Sequence, residues 1–187
     1  MYKKNISVIE NALNIAQVEE GAIGDNSVVF TPSSDGNSSY ESAKRFSKYL
    51  NTIKVCRNKS QAECSEIYYP IKYSKRNDSW NPSHSKIVLS DGSIYLISQY
   101  PNCEGDDPTC KKNSDGTCKK DENGNDIPAT WHRTACGIIC VDVNGTKGPN
   151  KFGKDNFLIF VGKNKITIEN YAPRGGRTAL DIITNKI

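Results

Sequence analysis

Gly137-Ile138-Ile139-Cys140-Val141-Asp142-Val143-Asn144-Gly145-Thr146-Lys147-Gly148-Pro149-Asn150-Lys151-Phe152-Gly153-Lys154-Asp155-Asn156-Phe157-Leu158-Ile159-Phe160-Val161 sets a run of turn formers and oxygen donors between two apolar blocks. Each block is short, β-branched or aromatic, and bounded by breakers, as a buried strand is. The connection is longer than a hairpin needs, and a loop of that kind usually has a functional or stabilising reason. Calcium takes a mixed shell of carboxylate, amide and carbonyl oxygens, and Asp142, Asn144, Asn150 and Asp155 can supply such atoms. The spacing is not that of an EF-hand, whose closing glutamate position is occupied here by Gly153. The same residues also fit a loop without metal, in which Asp142 and Asn144 form Asx turns and Asp155 caps the next strand.

Outward from this segment, further elements follow from pattern. Lys86-Ile87-Val88-Leu89 and Ile94-Tyr95-Leu96-Ile97 flank Asp91-Gly92, a strong short-range hairpin signal. After Phe157 to Val161, Gly162-Lys163-Asn164 turns the chain into a fifth strand over Lys165 to Glu169. Toward the N-terminus, Ile6, Ile9, Leu13 and Ala16 recur at helical spacing, and Gly21 stands where a helix stops. Helix one is expected over 3–20, with no capping side chain at its start except Asn5. Ser38-Ser39-Tyr40-Glu41 reads as a capping box, and Ala43, Phe46, Leu50 and Ile53 predict helix two over 39–53. The expected fold class is α+β: an N-terminal amphipathic helix on an antiparallel sheet of four to five strands. Residues 99–134, with acidic turns and three cysteines, are expected as the least structured tract, a disulfide-stapled loop insertion. Its cluster at 121–126 reads as a hydrated loop tip, with a second calcium site as the alternative. Beyond Ala172, Arg174-Gly175-Gly176-Arg177 marks a turn, and residues 178–183 suit a short helix or strand.

The 187 residues fit one domain over 1–187. A hydrophobic share of 36% and a mean hydropathy of -0.62 indicate a loop-rich, well-hydrated chain. No apolar run approaches a membrane span. The net charge of +4 is spread among alternating acids and bases, so it marks no nucleic-acid footprint. Seven cysteines without a C-x-x-C pair argue for disulfides and an oxidising compartment rather than zinc. The candidates are Cys56, Cys64, Cys103, Cys110, Cys118, Cys136 and Cys140. Cys56 with Cys64 is the pair that isolation suggests, while the other five staple the 103–140 region and leave one over; connectivity within that group is not legible from spacing. No catalytic motif is present: His84 and His132 are the two histidines, and neither adjoins a nucleophile pattern. Cys136, four residues from His132, reads as a disulfide cysteine. The chain is expected not to be an enzyme and to have no small-molecule substrate.

The helix ending Gln17-Val18-Glu19-Glu20-Gly21, the hairpin over Asp91-Gly92 and the segment Val141 to Phe157 together resemble bacterial type IV pilin-like proteins, including the pseudopilins of type II secretion. The resemblance is specific in D-x-N-G-x-K-G-P-N-x-x-G-x-D-x-F and leaves residues 22–85 and 99–134 unaligned. It implies that residues 1–21 are the remnant of a longer helix whose apolar, membrane-anchoring half is missing, with Met1 added. It further implies a subunit of an extracytoplasmic fibre, anchored in the inner membrane before assembly and then periplasmic or on the cell surface. Its partners would be other pilin-like subunits and a membrane assembly machine. Some pseudopilins hold calcium near the end of the sheet, which strengthens the reading of Asp142, Asn144, Asn150 and Asp155 as ligands. The cysteine-rich insertion and the helix at 39–53 are not family hallmarks, and the class of fibre stays open. The alternative is a secreted binding module or adhesin that uses the cysteine-rich region, with Trp80, Trp131 and tyrosines as contact surface. DNA capture by a competence-type pilin is a third reading.

Overall fold

The structure is a computed structural model, and it describes residues 2–31, 38–74, 77–114 and 117–168. Helix α1 (Tyr2–Glu19) is followed by α2 (Ser38–Ser47) and strands β1 (Thr52–Cys56), β2 (Ile71–Lys72), β3 (Ser79–Trp80), β4 (Lys86–Leu89) and β5 (Ile94–Gln99). Then come β6 (Gly105–Cys110), β7 (Pro128–Arg133), β8 (Gly137–Asp142), β9 (Asn156–Val161) and β10 (Ile166–Ile168). Six strands form one antiparallel sheet in the order β1-β4-β5-β8-β9-β10. The α+β plan of a helix on an antiparallel sheet is therefore present.

Strand alternation divides the core in two. Ile87, Tyr95, Ile97, Ile139, Val141, Ile159 and Val161 share one cluster with Ile6, Ile9, Ala12, Leu13 and Ala16 of α1. Leu96, Cys140 and Leu158 point the other way, where Ile71, Phe152 and Trp80 cover them. Successive strand residues face opposite sides, so a sheet buried on both faces yields near-continuous apolar strands. Helix α1 stops as expected: Gly21 has φ +66°, Ala22 N–H donates to Gln17 O, and Gly21 N–H donates to Val18 O. This is a Schellman closure, which glycine adopts without a Cβ penalty.

Three expectations are corrected. Helix two ends at Ser47 instead of 53, because the chain turns over 48–51 and then enters β1, where Thr52, Lys54, Val55 and Cys56 pair with β4 and Ile53 falls at a shift of register. That strand raises the sheet to six. The loop insertion over 99–134 is stapled by disulfides as expected but is built on a two-stranded ribbon: β6 and β7 pair from Gly105 with Arg133 to Cys110 with Pro128. The expected Ser38 cap concerns a side chain outside the described residues, as do Glu169, the turn at 174–177 and the element at 178–183.

The disulfides are Cys56–Cys64, Cys103–Cys136 and Cys110–Cys118, and Cys140 is the cysteine outside them. The Cys56–Cys64 expectation holds. Three disulfides in one chain fit an oxidising, extracytoplasmic environment. No helix among the described residues is long and apolar enough to cross a membrane.

Candidate metal-binding loop between β8 and β9

The pairing of β8 with β9 sets Asp142 opposite Asn156 and brackets the long connection. Both aspartates of the predicted ligand set are buried in it, as is Asn156. Asp142 Oδ1 accepts from the backbone N–H of Asn144 (3.2 Å) and Gly145 (2.8 Å). Its Oδ2 accepts from Tyr69 O–H at 2.8 Å and from Asn156 Nδ2 at 3.1 Å. Asp155 Oδ1 accepts from Lys151 N–H at 2.7 Å and from Asn156 Nδ2 at 3.1 Å, and its Oδ2 accepts from Asn150 N–H at 2.7 Å. The Asn156 amide thus bridges the two carboxylates. Burial pushes the Asp142 carboxyl above its ordinary range, and the charge of Asp155 adds to the push, while hydrogen bonds from Tyr69, Asn144 and Asn156 pull it back.

The two asparagines differ from the aspartates. Asn144 Nδ2 donates to Gly148 O at 2.6 Å, which fixes its amide, and its Oδ1 is buried without a hydrogen-bond partner. Asn150, at φ +53°, likewise holds a buried Oδ1 without a partner. A buried amide oxygen left unpaired costs about 1–3 kcal/mol, and hard cations take such oxygens. The four expected residues therefore meet in one loop in unequal roles. Asp142 has both oxygens filled twice over, so the oxygens left for a cation are those of Asn144, Asn150 and one side of Asp155. These are amide and carboxylate oxygens, the kinds that a hard cation such as calcium takes.

The loop is also seated against the hairpin. Gly145 has φ +59°, and a Cβ there would lie 2.4 Å from Gly92 O, so glycine is required on two grounds. Behind the carboxylates, Lys86, Cys140, Tyr69 and Asp142 border a cavity of about 10 Å³. Sequence reading missed Tyr69, Lys86 and Asn156. The signal for Asn156 was its place opposite Asp142 once the two apolar blocks are paired; Tyr69 and Lys86 left none.

Other candidates fall elsewhere. At 121–126, Asp121 Oδ1 accepts from the N–H of Asn123 and Asn125, and Lys120 pairs with Asp126 at 2.5 Å, as in a hydrated turn. Cys110, Cys118 and Asp126 lie close together, but both sulfurs are spent in a disulfide. Cys136 is bonded to Cys103 and is no nucleophile for His132. His132 instead sits between Asp106 and Glu104 on the exposed ribbon. Trp80 packs against Phe152, whereas Trp131 is 40% exposed beside Tyr100 and Phe160. No protein-family model matches this sequence, and no curated protein or solved structure is significantly similar to it.

Proposed function

We propose that the chain is the head of a structural subunit in an extracytoplasmic type IV pilus-like or type II secretion pseudopilus fibre. The observation that carries this reading is the outward face of α1. Its inner stripe is spent on the sheet, yet Ile15 and Val18, three residues apart on the other side, are 48% and 65% exposed. Residues at that spacing form one patch on a helix, suited to packing against the helix of a neighbouring subunit, which also fits the sequence resemblance. The test is Ile15→Glu with Val18→Glu in the full-length protein in its own cell. Fibres should be lost while the soluble head keeps its melting temperature; fibres at the normal level would sink the reading.

Calcium belongs to the same proposal, held by Asn144, Asn150 and Asp155, where it would neutralise the paired carboxylates and close the loop. Added calcium should raise the melting temperature of EDTA-treated protein and leave that of Asn144→Leu with Asn150→Leu unmoved. An unchanged melt of the parent protein would remove the metal from the proposal.

One observation favours a second reading, a secreted binding module. Trp131 presents an exposed ring on the ribbon, and exposed aromatics commonly anchor glycan or protein contacts. Trp131→Ala would then abolish capture of a glycan or protein while leaving the melting temperature unchanged.

A further inference from the structure

Lys86 and Cys140 stand in one row across the sheet, on the face turned away from α1. Lys86 pairs with Leu96, and Leu96 pairs with Cys140. Adjacent strands are about 4.8 Å apart, so two steps separate their Cα atoms by roughly 10 Å. By bond lengths an extended lysine reaches roughly 6 Å and a cysteine roughly 3 Å, so the two side chains span this gap when one atom joins them. Both residues are 2% exposed. Both border the same cavity of about 10 Å³, a void near the least that holds one water.

The amine's direct contacts are neutral groups, with the charge of the Asp142 carboxylate acting on it as well. Lys86 Nζ donates to Ile67 O at 2.6 Å and lies 4.7 Å and 4.9 Å from the ring centroids of Tyr68 and Tyr69. Burial lowers its pKa to about 8, so a nucleophilic neutral fraction is present near neutral pH. The thiol belongs to the one cysteine of seven that lies outside the three disulfides, in a chain already oxidised at the other six.

We propose that Lys86 and Cys140 become joined through one oxygen atom, Nζ–O–Sγ, with dioxygen as the oxidant. One N–H bond and the S–H bond break, and an N–O and an O–S bond form. The second oxygen atom leaves as water with the two hydrogens. Nitrogen and sulfur each give up two electrons, the four that reduce dioxygen. The bridge ties β4 to β8 over β5 and removes a buried positive charge.

The experiment is intact mass under denaturing, non-reducing conditions on the whole chain kept in air. The expected species is heavier than the three-disulfide chain by one oxygen less two hydrogens, about 14 Da, with the peptides carrying Lys86 and Cys140 linked in a digest. Reduction should release the link. Cys140→Ser should lack the increment while keeping all three disulfides, and so should Lys86→Met, whose thiol at Cys140 should then alkylate after denaturation. A three-disulfide mass with an alkylatable Cys140 in aerated parent protein would overturn the bridge. So would a gain of about 16 Da on Cys140 alone, the mark of a sulfenic acid.

Discussion

Tyr95 O–H donates to Asn5 Oδ1 at 2.6 Å, and both side chains are buried. The bond joins the first turn of α1 to the central strand β5, across the main core. Asn5 is therefore a tether of α1 to the sheet. Tyr95→Phe leaves the Asn5 oxygen short of a partner and should cost about 1–3 kcal/mol. Pairing it with Asn5→Leu removes both polar atoms, so the double variant should lose less than the sum of the singles in urea melts. Additive losses would show that the bond is not coupled.

Gly137 opens β8 beneath Phe30. A Cβ there would lie 2.5 Å from Phe30 Cδ1 and 2.6 Å from Ser98 O, and the second contact is backbone that cannot swing aside. Gly137→Ala should lower stability by about 2–3 kcal/mol through overpacking, and Phe30→Leu in the same chain should recover part of it. A melt within error of the parent would mean that the strand shifts freely.

Legibility followed the range of the forces. The hairpin over Asp91-Gly92 and the blocks 137–141 and 157–161 were readable because turn chemistry and apolar runs are local signals. Strand β1 was not, since Ile53 continues the helical spacing of Phe46 and Leu50, and only pairing with β4 decides otherwise. The β6–β7 ribbon lacks an apolar face, with most of its residues exposed or half-exposed. It rests on backbone pairing, on Arg133 to Asp107 at 2.7 Å and on two disulfides. In the loop, sequence named the oxygen-bearing residues. It could not name the donors that fill Asp142, because Tyr69 lies 73 positions away. Nor could spacing tell which cysteine is left over, since register alone places Cys140 against Leu96 and Leu158.

The two ribbon disulfides should differ in effect. Cys103–Cys136 closes a separation of 33 residues and ends in the main core, whereas Cys110–Cys118 closes 8 near the ribbon's end. Loop entropy assigns roughly 4 kcal/mol to the first and roughly 2.5 kcal/mol to the second. The second loss should stay local, because an exposed ribbon can open by itself. Replacing Cys110 and Cys118 by serine should speed proteolysis between 111 and 127 with little change in the main melt. Replacing Cys103 and Cys136 should lower that melt by several degrees. Equal shifts would show that the ribbon and sheet unfold as one unit.

Lys86 should impose a rise of stability with pH, readable in a Cys140→Ser background where no bridge to nitrogen can form. Its folded pKa of about 8 lies below the ordinary lysine value of 10.5, with burial as the main cause. Between those values the unfolded chain binds the extra proton, so unfolding becomes harder as pH climbs. The cost of burying the charge is fully present below about pH 8 and is relieved toward pH 10.5, on the order of 3 kcal/mol in all. The groups facing the amine leave this window clear. Asp142 is a carboxylate whose charge favours the protonated lysine, and Tyr68 and Tyr69 are pushed upward by burial, so they stay neutral in the folded protein. Unfolded tyrosine begins to ionise near pH 10, and measurements are best kept between pH 7.5 and about 9.5. Urea midpoints of the Cys140→Ser protein should rise across that range relative to Cys140→Ser with Lys86→Met. Parallel curves for the two proteins would mean that Lys86 holds its proton in the fold as firmly as in water.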